Sequence, residues 1–272
     1  MNLTGRTALV TGGVGLLGSQ FAKTLALAGA RVAIFDLKNE LPLNLQDCWF
    51  GNCSLGIELF KVDITNQNSV KLGFECITND SDAPTVLINC AGLDTVMGQA
   101  SLAQNGPFED YAEDTWDTVI DSHLKGAFLV SREFFRWFKK TNQNNGSIVN
   151  ISSTYGLVSP DQSVYKYRRQ RGESFYKPVA YTVAKAGMIG FTKWLAEYGG
   201  PFGIRVNALA PGGTNAGQGL DSEFIQEYEK RTMLGRMASV DDYNKAILFL
   251  ASDDSAYMTG ATLVIDGGWT AR

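Results

Sequence analysis

The sequence predicts an α/β domain on a doubly wound parallel sheet. Two observations carry this. Short apolar, β-branched runs alternate with amphipathic stretches along the chain, the pattern of parallel strands covered by helices on both faces. A glycine-rich turn separates the first run from the first helical stretch, and such sheets bind ligands beyond the carboxyl ends of their strands. The length, 272 residues, suits one large domain with an ample core.

Thr7–Thr11 is the first strand. Residues 18–29 carry Phe21, Leu25 and Ala28 at helical spacing and end on glycine, a common helix stop. Residues 31–35 form the second strand. Val86–Asn89, residues 147–151, residues 205–209 and Thr262–Ile265 read as later strands. Helices are expected over residues 66–77, 115–140, 180–198, 222–230 and 240–250. No repeat, low-complexity tract or proline-rich linker divides the chain, so one domain is expected.

Hydrophobic residues make up 44% and charged residues 19%, with net charge -4. That balance offers no basic face to nucleic acid or anionic lipid. No apolar stretch reaches membrane-spanning length, and the first ten residues lack a secretory pattern. A cytoplasmic protein with no nucleic-acid or membrane partner is expected. The cysteines are Cys48, Cys53, Cys76 and Cys90, and the one histidine is His123. Only Cys48 and Cys53 are close together, with no histidine near them, so free thiols are expected rather than a metal site.

The first strand runs into Thr11-Gly12-Gly13-Val14-Gly15-Leu16-Leu17-Gly18. Small residues let the chain turn sharply and let the backbone approach a pyrophosphate, which then meets the N–H groups of a helix start. Gly12, Gly15 and Gly18 are the candidate phosphate contacts, with Leu17 beside them. Asp36 ends the second strand about 20 residues on, where a carboxylate bonds both ribose hydroxyls of NAD and repels the 2′-phosphate of NADP. Tyr181 and Lys185 lie four apart on a predicted helix and share one face. A phenol has a pKa near ~10, and a nearby ammonium favours its ionised form. Upstream, residues 147–151 lead into Ser152 and Ser153, hydroxyls suited to orienting a carbonyl.

Together these motifs resemble the single-domain short-chain dehydrogenases over nearly the whole chain. Asn89-Cys90-Ala91-Gly92, Asp63-Ile64, the stretch from Asn207 to Pro211-Gly212, and the tail from Thr259-Gly260 to Asp266-Gly267-Gly268 match further family segments. The resemblance implies a Rossmann-like fold, NAD as cofactor, and hydride transfer between nicotinamide and a secondary alcohol or ketone. It makes Tyr181 the general acid/base, Lys185 its partner on the nicotinamide ribose, and Ser153 the orienting hydroxyl, with Ser152 as fallback. Asp63, Ile64, Asn89, Ala91, Gly92, Pro211, Gly212 and Thr214 are implied cofactor contacts. Homodimers or homotetramers are implied as well, and residues 115–140 and 180–198 are the helices that would pair.

The chain departs from the family in four places. Leu16 replaces the usual middle glycine, a spacing similar to that of nucleotide-sugar epimerases, although too little sequence follows Asp266 for their added domain. His123 stands where an asparagine is usual; it either relays protons or caps a helix kink. Ala216 takes the usual threonine position, with Thr214 as substitute. Ser153 and Tyr181 are 28 positions apart, 181 minus 153, which implies an insertion at about residues 158–178. It contains Tyr165-Lys166-Tyr167-Arg168-Arg169-Gln170-Arg171. Arginine forks suit carboxylate and phosphate, so Arg168, Arg169 and Arg171 are candidate contacts to an anionic, carbohydrate-like small-molecule substrate. A solvated loop or a subunit contact is the alternative. The insertion and the Lys177-Pro178-Val179-Ala180-Tyr181 run are similar to oxidoreductases of flagellin-modification and legionaminic-acid pathways. A 3-oxoacyl-thioester reductase and a non-enzymatic NAD sensor or scaffold are competing readings.

Overall fold

The structure, a computed structural model, describes residues 1–45, 56–78, 83–93, 105–215 and 219–272. Seven strands form one sheet: β1 (Thr7–Thr11), β2 (Arg31–Asp36), β3 (Ile57–Lys61), β4 (Val86–Asn89), β5 (Gly146–Ile151), β6 (Ile204–Pro211) and β7 (Thr262–Ile265). Their order is β3-β2-β1-β4-β5-β6-β7, and every pair is parallel. The described helices are α1 (Leu16–Leu27), α2 (Gln67–Thr78), α3 (Glu113–Ile120), α4 (Gly126–Lys140), α5 (Lys166–Gln170), α6 (Val179–Gly199), α7 (Ser222–Glu229) and α8 (Asn244–Ala251). This is the Rossmann-like, doubly wound α/β arrangement expected. β3 escaped the sequence reading because its residues are mostly half-exposed at the sheet edge.

Burial on both faces makes the interiors of the central strands apolar. Successive side chains alternate faces. Val10, Ile34 and Ile88 pack with Phe21 and Leu25 of α1 and Ile247 of α8. Leu9, Phe35 and Leu87 pack on the other side with Phe74 of α2 and Phe134 and Phe138 of α4. The sheet winds one way through β1, β2 and β3 and the other way from β4 onward, so a switch point opens between β1 and β4. Thr11 is in register with both Phe35 and Asn89, which brings three strand ends to one level there.

The single helix expected over residues 115–140 is interrupted. Asp121–Lys125 forms a π-helical turn between α3 and α4. Apolar periodicity runs across it, so sequence alone reads one helix. The wider turn buries both Ser122 and His123 and changes what they can reach. Among the described residues, no helix is long and apolar enough to cross a membrane. None of their His, Cys, Asp and Glu side chains group in threes that could hold a metal. Cys48, Cys53 and Ala216 lie outside the described residues.

Candidate active site

A cleft of about 850 Å³ opens at the carboxyl ends of the strands. Gly12, Gly15, Leu17 and Gly18 line one end, and Leu16 edges it. Gly12 has φ +66, and a Cβ on it would sit 2.7 Å from Ala91 Cα. A Cβ on Gly18 would collide with the Gly12 carbonyl. These positions therefore require glycine, and the start of α1 faces open space. Thr11 Oγ1 accepts the N–H groups of Cys90 and Ala91, both at 3.1 Å, which holds Ala91 and Gly92 on the cleft wall.

Asp36 lines the cleft at the tip of β2. Its carboxylate accepts the N–H of Val14 at 3.0 Å and of Lys38 at 3.1 Å, so it also braces the glycine turn. Asp63 and Ile64 form the neighbouring wall. Asp63 Oδ1 accepts the Thr65 N–H and hydroxyl at 2.9 and 2.7 Å. Pro211, Gly212 and Thr214 close the opposite end, where Tyr243 links the Thr214 hydroxyl at 3.3 Å to the Gly212 carbonyl at 2.9 Å. Burial pushes the Cys90 thiol up to about 11, so this cleft-lining cysteine is a neutral thiol near pH 7.

Asn89 is not brought to the cleft. It is buried beneath it, and its Nδ2 donates to Ser131 Oγ at 3.0 Å and to Asn150 Oδ1 at 2.8 Å. Asn150 Nδ2 continues to Thr192 Oγ1 at 2.9 Å. This internal chain ties β4 and β5 to α4 and α6. The amide serves the scaffold because β4 points that side chain away from the opening.

Tyr181, Lys185, Ser153 and His123 meet in the middle of the cleft. Lys185 is 6% exposed; its Nζ donates to Ile151 O at 2.9 Å and lies 5.6 Å from the Tyr181 ring centre. Ser152 donates to the Lys185 carbonyl at 2.7 Å, joining β5 to α6. Ser153 Oγ accepts the Tyr155 N–H at 3.2 Å, which leaves its hydroxyl hydrogen to point at a ligand. These roles favour Ser153 over Ser152. His123 packs edge-on against Tyr181 with ring centres 5.8 Å apart. Its Nε2 bonds Leu93 O at 3.0 Å, while Ser122 Oγ accepts the Leu93 N–H at 3.1 Å. The π-helical turn thus clamps both main-chain groups of Leu93.

The arginines of the insertion do not line the cleft. Arg168 is buried, 3.3 Å from both Glu173 and Asp221 and stacked over Phe175. Arg169 donates to the carbonyls of Phe175 and Gln162 at 2.9 and 2.7 Å. Arg171 pairs with Glu223. Glu173, Asp221 and Glu223 thus pair with Arg168 and Arg171, and main-chain carbonyls hold Arg169; a run of basic residues in sequence does not disclose such partners. What the insertion does bring to the cleft is Tyr165 and Lys177. Lys177 lies four residues before Tyr181, as Lys185 lies four after, but it precedes the helix, so helical spacing gave no signal.

The parallel sheet thus opens a glycine-lined cleft beside a serine, a tyrosine and a lysine. Over residues 15–270 the chain matches the family described as enoyl-(acyl carrier protein) reductase. It is 30% identical to a 3-oxoacyl-acyl-carrier-protein reductase of Chlamydia trachomatis, covering 98% of both chains. It is also 30% identical to D-threitol dehydrogenase of Mycolicibacterium smegmatis, covering 99% of this chain and 95% of that one. A short-chain dehydrogenase from Leptospira borgpetersenii, solved with bound NAD+, superposes with TM-score 0.84 at 35% identity, covering 99% of this chain and 94% of that one. The chain belongs to the short-chain dehydrogenase/reductase family.

Proposed function

We propose that this protein is an NAD-dependent enzyme interconverting a secondary alcohol and a ketone on a polar, anionic, carbohydrate-like substrate. The observation that carries the reading is the placement of Asp36 at one end of a cleft whose other part holds Ser153, Tyr181 and Lys185. The glycine turn suits a pyrophosphate, since Gly12 and Gly18 let the chain pack tightly on Ala91 and on the Gly12 carbonyl and so bring the start of α1 up to the cleft. Asp36 would hold the adenosine ribose, Asp63 and Ile64 the adenine, and Lys185 the nicotinamide ribose. NAD, when bound, supplies the acceptor for the hydride that leaves the carbinol carbon. Ser153 donates to the substrate oxygen and fixes its position. Tyr181 takes the hydroxyl proton during oxidation and returns it during reduction. Lys185, its Nζ held by the Ile151 carbonyl, stands beside that phenol. His123 holds Leu93 at the cleft edge. The likeness to legionaminic-acid-pathway oxidoreductases belongs with this reading.

The second reading, a 3-oxoacyl-thioester reductase, is favoured by the name of the Chlamydia relative. Assaying NAD and NADP with polyols, sugar acids and sugar phosphates beside acetoacetyl-CoA separates the two. Preferred turnover of a sugar-type substrate with NAD is expected; preferred reduction of acetoacetyl-CoA with NADPH establishes the alternative. A sensor or scaffold role conflicts with the intact Ser153, Tyr181 and Lys185. Exposed Phe128 on α4 and Trp194 and Tyr198 on α6 support pairing with a second copy as dimer or tetramer.

A further inference from the structure

The cation that the insertion delivers to the cleft is Lys177. Its Nζ lies 4.1 Å from the Tyr181 ring centre. The phenol oxygen is therefore at most one ring radius and one C–O bond farther away. Lys177 belongs to no regular element, and contacts within the insertion hold it. Gln162 grips its main chain from both sides: Oε1 accepts the Lys177 N–H at 2.9 Å, and Nε2 donates to the Lys177 carbonyl at 3.1 Å. Arg169 fixes Gln162 in turn through the Gln162 carbonyl at 2.7 Å. Pro178 follows and biases Lys177 toward extended backbone. Arg169 and Gln162 thus form a bracket whose product is one placed ammonium. The neighbouring lining from the insertion and α7 is aromatic, from Tyr165, Phe224 and Tyr228.

We infer that Lys177 binds an anionic group of the substrate and sets its class. That class is a short hydroxy or oxo compound whose carboxylate or phosphate lies a few bonds from the carbon that changes oxidation state. The inference rests on the proposed oxidoreductase site and specifies its substrate. Tyr181 exchanges the proton of the reacting hydroxyl, so the substrate carbon lies next to the phenol oxygen. An ammonium this close to the same phenol meets the substrate within a few bonds of that carbon. In a cleft partly shielded from water, such a contact is a charge-assisted hydrogen bond. A 3-oxoacyl thioester carries no charge at that separation.

The test uses enzyme loaded with NAD and two matched pairs: 3-hydroxybutyrate beside its methyl ester, and glycerol 3-phosphate beside glycerol. Saturation is read from NADH formation, or by calorimetry where no turnover occurs. At least one anion should saturate the wild type at about ten-fold lower concentration than its neutral partner. The first pair reports on carboxylate and the second on phosphate. Lys177→Met should erase that preference while leaving NADH binding unchanged, and Lys177→Arg should restore part of it. Gln162→Ala, which loosens the bracket without removing the charge, should weaken the preference to a smaller degree. Absence of any preference for charge in the wild type overturns the inference, as does a preference that survives in Lys177→Met. Failure of the protein to bind NAD would instead sink the oxidoreductase reading beneath it.

Discussion

Replacing Asp36 with alanine should reverse the cofactor preference. The carboxylate lines the cleft and accepts Val14 N–H at 3.0 Å, so the edge proposed to hold the ribose and the glycine turn are coupled through one side chain. Hydrogen bonds to a charged acceptor contribute about 1.5–3 kcal/mol. At about 1.4 kcal/mol per ten-fold, losing the ribose contact raises KM for NAD by roughly 10- to 100-fold. For NADP the sign is opposite. Two like charges about 4 Å apart repel by about 4 kcal/mol at an effective dielectric near 20, and the substitution removes that repulsion. Lys38, also on the cleft wall, then faces the 2′-phosphate without a competing carboxylate. The ratio of kcat/KM for NAD to that for NADP should fall by at least about 100-fold. Initial rates from NADH and NADPH absorbance give the ratio. Asp36→Asn is the control, because its amide oxygen still accepts from Val14 and preserves the turn. An unchanged ratio, or a loss confined to kcat with both cofactors, would refute the placement of the adenosine ribose at Asp36.

Further consequences concern the supports of the site. His123→Ala removes the partner of the Leu93 carbonyl, at a cost of about 1–3 kcal/mol; Tm should drop and KM rise, while His123→Gln, which can still donate, should retain both. Wild-type behaviour of the alanine variant would deny His123 its anchoring role. Asp242 accepts from Arg236 at 2.6 Å and from the Ser239 N–H at 2.8 Å, and the Arg236 hydrogen bond holds its carboxyl below the usual range. A lowered folded-state pKa contributes stability above the unfolded value near ~3.9, and the contribution fades as pH falls through the folded one. Asp242→Asn should therefore lower Tm at neutral pH, with the gap closing below about pH 4. A gap independent of pH would contradict this.

Most of the sheet was legible because buried parallel strands read as short apolar runs, as residues 86–88 of β4 do. The glycine turn was legible because it falls between the first strand and the first helix, where a sharp turn and close helix–strand packing call for small residues. Misreadings arose where partners distant in sequence decide the role. Asn89 ends a strand in a family-like motif, yet Ser131 and Asn150 claim its amide. Arg168 and Arg171 form a basic run, yet Asp221 and Glu223 lie more than 50 residues away and neutralise it. The π-helical turn changed the reach of His123 without disturbing the apolar pattern. Lys177 was read only as part of a run before Tyr181, with no role in the cleft, because its position depends on the Gln162 side chain, a contact that no periodicity encodes.

Tyr181→Phe tests the central chemical claim most directly, since it removes one oxygen and leaves the cleft's shape intact. NADH affinity is measured by fluorescence titration and turnover by NADH absorbance on the same preparation. Turnover reduced by about 10²- to 10⁴-fold, the range expected for a lost general acid/base, with NADH affinity within about two-fold of wild type, is the predicted result. Turnover at the wild-type rate would contradict the assignment of proton transfer to Tyr181.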